Sequence, residues 1–283
     1  MYLKRPHRGE RRTREQILEH YEIEKGLAVR LKAADKEERK RLYSAVYDDL
    51  YRMVPCHPQL TQKRRPEAWR KAVVSQMRLL SGFLTRESVF LEIGPGDCRL
   101  SLEAARRVKK VYAVDISEKI TEDVIRPGNF ELVLSAGGME AGIFDKNIDV
   151  AYSNQLMEHL HPDDALEQLK GVYDALVPGG VYICVTPHRF TGPHDISSYF
   201  DNVATGLHLK EYTNRELYQL FMAAGFTRMH SYLDLKAFYI KFPIRMVMSI
   251  ERLLGALPGA ARRRVSRSLL FRGILGIRVA AVK

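Results

Sequence analysis

Cysteine is scarce: Cys56, Cys98 and Cys184 are far apart in 283 residues and form no C-x-x-C pair. Neither a disulfide framework nor a zinc site is expected of them, and a reducing cytoplasm suits the chain. Long apolar runs are missing too. None approaches the roughly 18 residues of a membrane span, and the basic start MYLKRPHRGERRTREQ lacks the apolar core of a signal peptide. Acid is nearly missing from one region only. Of the formal charge of +11, the stretch from Lys241 to Lys283 holds ten Lys or Arg against one acid, Glu251, a net of +9. The rest is close to balanced, which argues for one basic surface and against a nucleic-acid binder that is basic throughout.

What is present has two textures. Near the start, Thr13 with Gln16 and Asp35 with Glu38 place a capping side chain three residues before a reciprocating one, which predicts two helices. Ile17, Tyr21, Ala28 and Leu31 in the first, and Leu42, Val46 and Leu50 in the second, have helical apolar spacing. Tyr43, Tyr47 and Tyr51 form a parallel stripe, which either packs the hairpin or walls a substrate. A third helix is expected from Glu67 to Phe83. Beyond residue 88 short β-branched runs alternate with helical patterns, as in SVFLEIG, KVYAVDIS, NFELVLSA, DVAYSN and GGVYICVTP. That alternation implies right-handed crossovers and an open α/β sheet whose ligands sit at the carboxyl ends of its strands.

The first of these strands runs into Gly94-Pro95-Gly96 and then a helix from Arg99, the context of a glycine loop that lets backbone approach a ligand. A P-loop would end in Gly-Lys-Ser/Thr, and Asp97-Cys98-Arg99 stands there instead. A dinucleotide fingerprint would need glycine at Arg99. Glu92 and Asp97 would repel phosphates but suit a ligand with an ammonium and a sulfonium, as in S-adenosylmethionine. Asp115 ends the second strand, where a carboxylate accepts from both ribose hydroxyls, and Ile116 follows it.

Residues 89 to 189 resemble the class I S-adenosylmethionine-dependent methyltransferases, notably the subgroup around ubiquinone and menaquinone methylation whose fourth strand reads like DVAYSNQLMEHLHPDD and whose fifth follows LVPGG. The resemblance implies a Rossmann-like, seven-stranded, mostly parallel sheet with helices on both faces. It implies that Glu92, Gly94 and Gly96 border the methionine portion, that Asp115 grips the ribose and that Asn154 lies by the sulfonium. Two positions depart from the pattern. The usual third glycine is Cys98, and the acid near adenine is replaced by Gly137, leaving Gly138 and Met139 to flank the base.

For the acceptor, a hydroxyl needs a base, and the loop TPHRFTGPHDIS supplies His188, His194 and Asp195. Glu158-His159 resembles part of an E-x-x-E-H motif associated with a divalent metal in quinone-ring O-methyltransferases. The motif's first acid is Gln155 here, a neutral amide and a poor substitute for a hard anionic ligand, so no metal is expected.

The expected organisation is a helical extension or lid at 1–66, a cofactor-binding core at 67–240, a basic amphipathic helical insertion at 241–275 and a last strand at 276–283. A small-molecule acceptor is favoured: an oxygen of a glycan, a lipid-linked molecule or a secondary metabolite. The insertion suits peripheral contact with an anionic membrane, and a homodimer is left open. Nucleic acid is disfavoured, because SNQL ends strand four where base N-methylating enzymes carry D/N-P-P-Y/F. The alternatives are an RNA or protein methyltransferase and a non-catalytic cofactor-binding subunit.

Overall fold

The computed structural model describes residues 10–62, 66–116, 126–135, 139, 144, 146–235 and 238–283. Its helices and strands, in chain order, begin with α1 (Arg14–Ala33), α2 (Lys36–Met53), α3 (Pro58–Gln62) and α4 (Pro66–Leu80). The alternating part follows as β1 (Val89–Ile93), α5 (Arg99–Ala105), β2 (Lys110–Asp115), β3 (Phe130–Leu134), β4 (Ile148–Asn154), α6 (Pro162–Ala175), β5 (Leu176–Thr186), α7 (Asn214–Ala223) and β6 (Arg228–Asp234). Last come β7 (Tyr239–Pro243), α8 (Ile244–Gly255), α9 (Gly259–Ser266), α10 (Leu269–Leu275) and β8 (Ile277–Val282).

The strands form one sheet in the order β3-β2-β1-β4-β5-β8-β6-β7. β1 to β5 pair in parallel, while β8 runs antiparallel between β5 and β6. The sheet has eight strands, where seven were expected. The extra one is β7, which folds back on β6 with Tyr239 opposite Asp234 and Pro243 opposite His230. A five-residue edge strand suffices for this hairpin, and Pro243 is tolerated because it ends an edge. The insertion expected from Lys241 therefore begins as strand, and turns helical only at Ile244.

Alternation along the strands splits the core. Phe90, Val111, Tyr152 and Ile183 meet Leu80 and Leu100 from α4 and α5 on one face. Leu91, Ala151, Tyr182 and Cys184 meet Leu169, Leu217 and Phe221 from α6 and α7 on the other. Each such large side chain contributes about 1.5–3 kcal/mol by leaving water.

The N-terminal hairpin forms as its caps predict. Thr13 and Gln16 complete a reciprocal capping box on α1, and Asp35 accepts from the Glu38 amide at the start of α2. Leu42, Val46 and Leu50 pack with Leu27 and Leu31 against Leu207 and Leu209 of the core. Polar ties fix the hairpin over the carboxyl edge of the sheet. Arg39 makes a two-pronged pair with Asp164 at 2.6 and 2.7 Å, both residues largely buried, and Tyr43 donates to the same carboxylate at 2.8 Å.

α8 docks by an unusual device for a basic segment. Its one acid, Glu251, is 5% exposed and accepts from the backbone of Asn214 and Arg215, so it caps the start of α7. No helix among the described residues is long and apolar enough to cross a membrane.

Candidate functional site

Two regions meet above the carboxyl ends of β1 to β5. The first is the glycine loop. Gly94 and Gly96 have φ of +66° and +56°, a region open to glycine but costly for other residues, and Gly94 donates to Val114 at 2.8 Å. A Cβ on Gly96 would meet nothing within 4 Å, so bare backbone faces open space there. The Gly96 amide lies 3.3 Å from one oxygen of Asp115 and the Ile116 amide 2.7 Å from the other, which holds that carboxylate at the mouth of the loop. Cys98, where a third glycine was expected, keeps the left-handed conformation at φ +55° with its side chain buried. Arg99 lies 4.4 Å over the Trp69 ring and 3.2 Å from Asp97, which ties the loop to α4.

Glu92 lies beneath this loop, buried and bonded to the Ser101 hydroxyl. Burial pushes its carboxyl up to about 8, helped by Asp97 and Asp115, although the Ser101 bond opposes the shift. Asn154 ends β4, half-buried, opposite Val185 of β5. Met139, expected to flank adenine, has its side chain 2% exposed within the core. Gly137 and Gly138 lie outside the described residues.

The second region is a cavity of about 1080 Å³ between the N-terminal hairpin and the core. His20, His57, His159, His194 and His208 line it with Arg12, Glu24, Tyr47, Gln155, Asp195 and Tyr199. Gln155 directly follows Asn154, so the cavity opens beside the end of β4. The tyrosine stripe divides its work. Tyr43 holds Asp164 and receives the His161 amide, whereas Tyr47 lines the cavity and meets His159 edge-on at 5.9 Å.

The three proposed catalytic residues separate. His194 lines the cavity, with Nδ1 3.3 Å from Glu211 and Nε2 3.1 Å from Thr191 Oγ1. Asp195 lines it as well, but its oxygens accept from the amides of Ser197 and Gly206, so it shapes the loop. His188 is 1% exposed, does not line the cavity, donates to Glu251 at 2.8 Å and accepts from the Phe190 amide. Both its nitrogens are thus committed to protein partners.

Sequence reasoning missed His20, Glu24, His57, His208 and Glu211. His20 and Glu24 stand one turn apart on the buried face of α1, 2.9 Å from each other. His208 and Glu211, three residues apart, are bonded at 2.9 Å. Burial tends to push Glu211 up, yet hydrogen bonds from His194 and His208 hold it down at about 2. Burial lowers His159 to about 3 and His57 to about 4, so both are neutral rings at pH 7. Burial and partners compete at His208, where the Glu211 bond and nearby carboxylates outweigh desolvation and raise it.

A family model described as a methyltransferase domain matches residues 61–231. The chain belongs to this methyltransferase family. It is accordingly an S-adenosylmethionine-dependent enzyme, and the open backbone at Gly96 fits that donor. No curated protein matches the chain. Solved structures share the fold at low identity. Burkholderia thailandensis 1,6-didemethyltoxoflavin-N1-methyltransferase, with 1,6-didemethyltoxoflavin and S-adenosylhomocysteine bound, is 18% identical over 88% of this chain and 91% of its own, with a TM-score of 0.53. A putative methyltransferase in complex with the Haloferax volcanii Trm112 activator is 15% identical over 78% of this chain and 91% of its own, with a TM-score of 0.51. An S-adenosylmethionine-dependent methyltransferase from Mesorhizobium loti is 14% identical over 74% of this chain and 98% of its own, with a TM-score of 0.50.

Proposed function

We propose that this methyltransferase modifies an oxygen of a small polar acceptor bound in the cavity beneath the N-terminal hairpin. The observation that carries the reading is the cavity itself. It has the volume of a small-molecule site, opens beside β4 and is lined by histidines and carboxylates rather than by a basic track. None of the described lining residues comes from the basic segment after Lys241, which disfavours a nucleic acid running from that segment into the site.

Bound S-adenosylmethionine supplies a methyl group on a positively charged sulfur, so the protein has chiefly to align the acceptor and remove its proton. In this reading Glu92, Gly94, Gly96, Asp115, Ile116 and Asn154 hold the donor. With Nδ1–H directed at Glu211, His194 takes the acceptor's proton on Nε2 once that hydroxyl replaces Thr191 Oγ1, its neighbour at 3.1 Å. Glu211 then stabilises the imidazolium that forms. A glycan, lipid-linked molecule or secondary metabolite fits this chemistry.

Exposed Leu253, Leu269 and Leu270 stand among the arginines of α8 to α10 and favour an anionic membrane as the place where a lipid-linked acceptor is met. Failure to sediment with anionic vesicles at low salt would remove that part. The main test is methyl transfer from labelled donor to fractionated small molecules, RNA and protein. Label is expected in the small-molecule fraction, with His194→Ala about 100-fold slower and donor affinity unchanged. Label in RNA or protein alone would refute the reading.

A further inference from the structure

A second cavity, of about 400 Å³, lies apart from the acceptor cavity, and none of the described residues lines both. Three elements bring arginines to it. Arg189 comes from the loop after β5, Arg215 from the first turn of α7 and Arg252 from α8, and all three are exposed. Phe190 lines the cavity too, and the Arg262 guanidinium of α9 lies 4.9 Å over its ring. The fold thus gathers four arginines from four segments around one hollow.

Neighbouring acids do not answer this charge. Two carboxylates line the cavity, and both are occupied. Glu251 accepts from His188 and from the amides of Asn214 and Arg215, while Glu216 accepts from Thr213 and pairs with Arg189 at 3.1 Å. Arg189 uses one of its N–H donors on Glu216, and the Arg215 and Arg252 side chains have no hydrogen bond or ion pair among the described residues. Elsewhere exposed arginines find an acid within a turn, as Arg106 and Arg107 do in Glu103 and Arg52 does in Asp49. Like charges crowded at one hollow repel, and a bound anion relieves the repulsion. A phosphate monoester offers three terminal oxygens and nearly two charges, so it engages several guanidinium forks at once, whereas a carboxylate fills one. Phe190 and Met248 give the ester's organic part an apolar surface.

We propose that Arg189, Arg215, Arg252 and Arg262 form a binding site for a phosphate monoester, separate from the donor cradle and the acceptor cavity. The ester is a lipid headgroup or a soluble molecule, and the chemistry at the arginines is the same for both. A lipid source would bring Leu253, 73% exposed and next to Arg252 in sequence, to the membrane surface. Such a site gives the basic segment a specific anchor rather than a diffuse attraction for anionic surfaces. It does not rest on the proposed O-methyl transfer, because binding is read without donor or acceptor.

The test titrates glycerol 3-phosphate into the full-length protein by calorimetry at low salt, where screening is weakest. About one equivalent is expected to bind, with affinity falling about 10-fold or more in the double variant Arg215→Gln/Arg252→Gln. The control, Arg245→Gln/Arg264→Gln, makes the same charge change at exposed arginines outside the cavity and is expected to bind like wild type. Thermal melting checks each fold. Vesicles containing phosphatidic acid then distinguish the sources: displacement of labelled glycerol 3-phosphate assigns the site to a lipid headgroup, and its retention assigns it to a soluble ester. No saturable binding of glycerol 3-phosphate, binding unchanged in folded Arg215→Gln/Arg252→Gln, or an equal loss in both double variants would each overturn the proposal, whatever the methyl-transfer assay shows.

Discussion

The two halves of the site are built in opposite ways. Apart from Asn154, the donor cradle comes from one continuous stretch, β1 to Ile116 after β2, and is mostly main chain: open backbone at Gly96 and a carboxylate held by two amides. The acceptor cavity is mostly side chain, assembled from α1, the segment around His57, the end of β4 and the loops after β5. A shared donor explains the first design, and a variable acceptor the second. The halves should therefore fail independently when perturbed.

The largest separable effect is expected at the hairpin. Arg39→Ala leaves Asp164 without its two-pronged partner at a largely buried site and should lower stability by about 3 kcal/mol, measured by denaturant melts. Donor affinity should hold in the folded fraction. A matched loss of donor affinity would mean that the halves are not separable.

A proton-linked effect belongs to the cradle. Without ligand, Glu92 is held at about 8 against its usual 4.5, so the unfolded chain ionises there first and stability falls as pH rises from about 4.5 to about 8. A cationic donor favours the carboxylate. Its binding should release up to about one proton at pH 7, detected by calorimetry in buffers of different ionisation enthalpy. Glu92→Gln should abolish the release, and an unchanged release would place the proton elsewhere.

The smallest effect lies outside both halves. Thr213→Ala removes the capping box of α7 and should cost about 1 kcal/mol in thermal or denaturant melts, without touching donor affinity.

The same contrast explains what was legible in the sequence. Glu92, Gly94, Gly96 and Asp115 lie in strand-turn-helix-strand order, so their spacing encodes their meeting. Local caps at Thr13 and Asp35 likewise marked real helix starts. His20, His57 and His208 meet only through the fold, and no spacing in the chain relates them. His188 and His194 looked alike because both follow β5. Their difference arises from Glu251, which reaches His188 from a helix distant in sequence. β7 escaped notice because its five residues run directly into an amphipathic helix and look like its beginning.

Calorimetric titration of S-adenosylmethionine into wild type, Gly96→Val and His208→Ala most directly tests the division between backbone cradle and side-chain cavity. The account predicts that Gly96→Val, which puts a branched side chain into the open space over the loop, loses donor binding by about 100-fold or more while His208→Ala binds like wild type. Donor binding retained in Gly96→Val, or lost in folded His208→Ala, would contradict it.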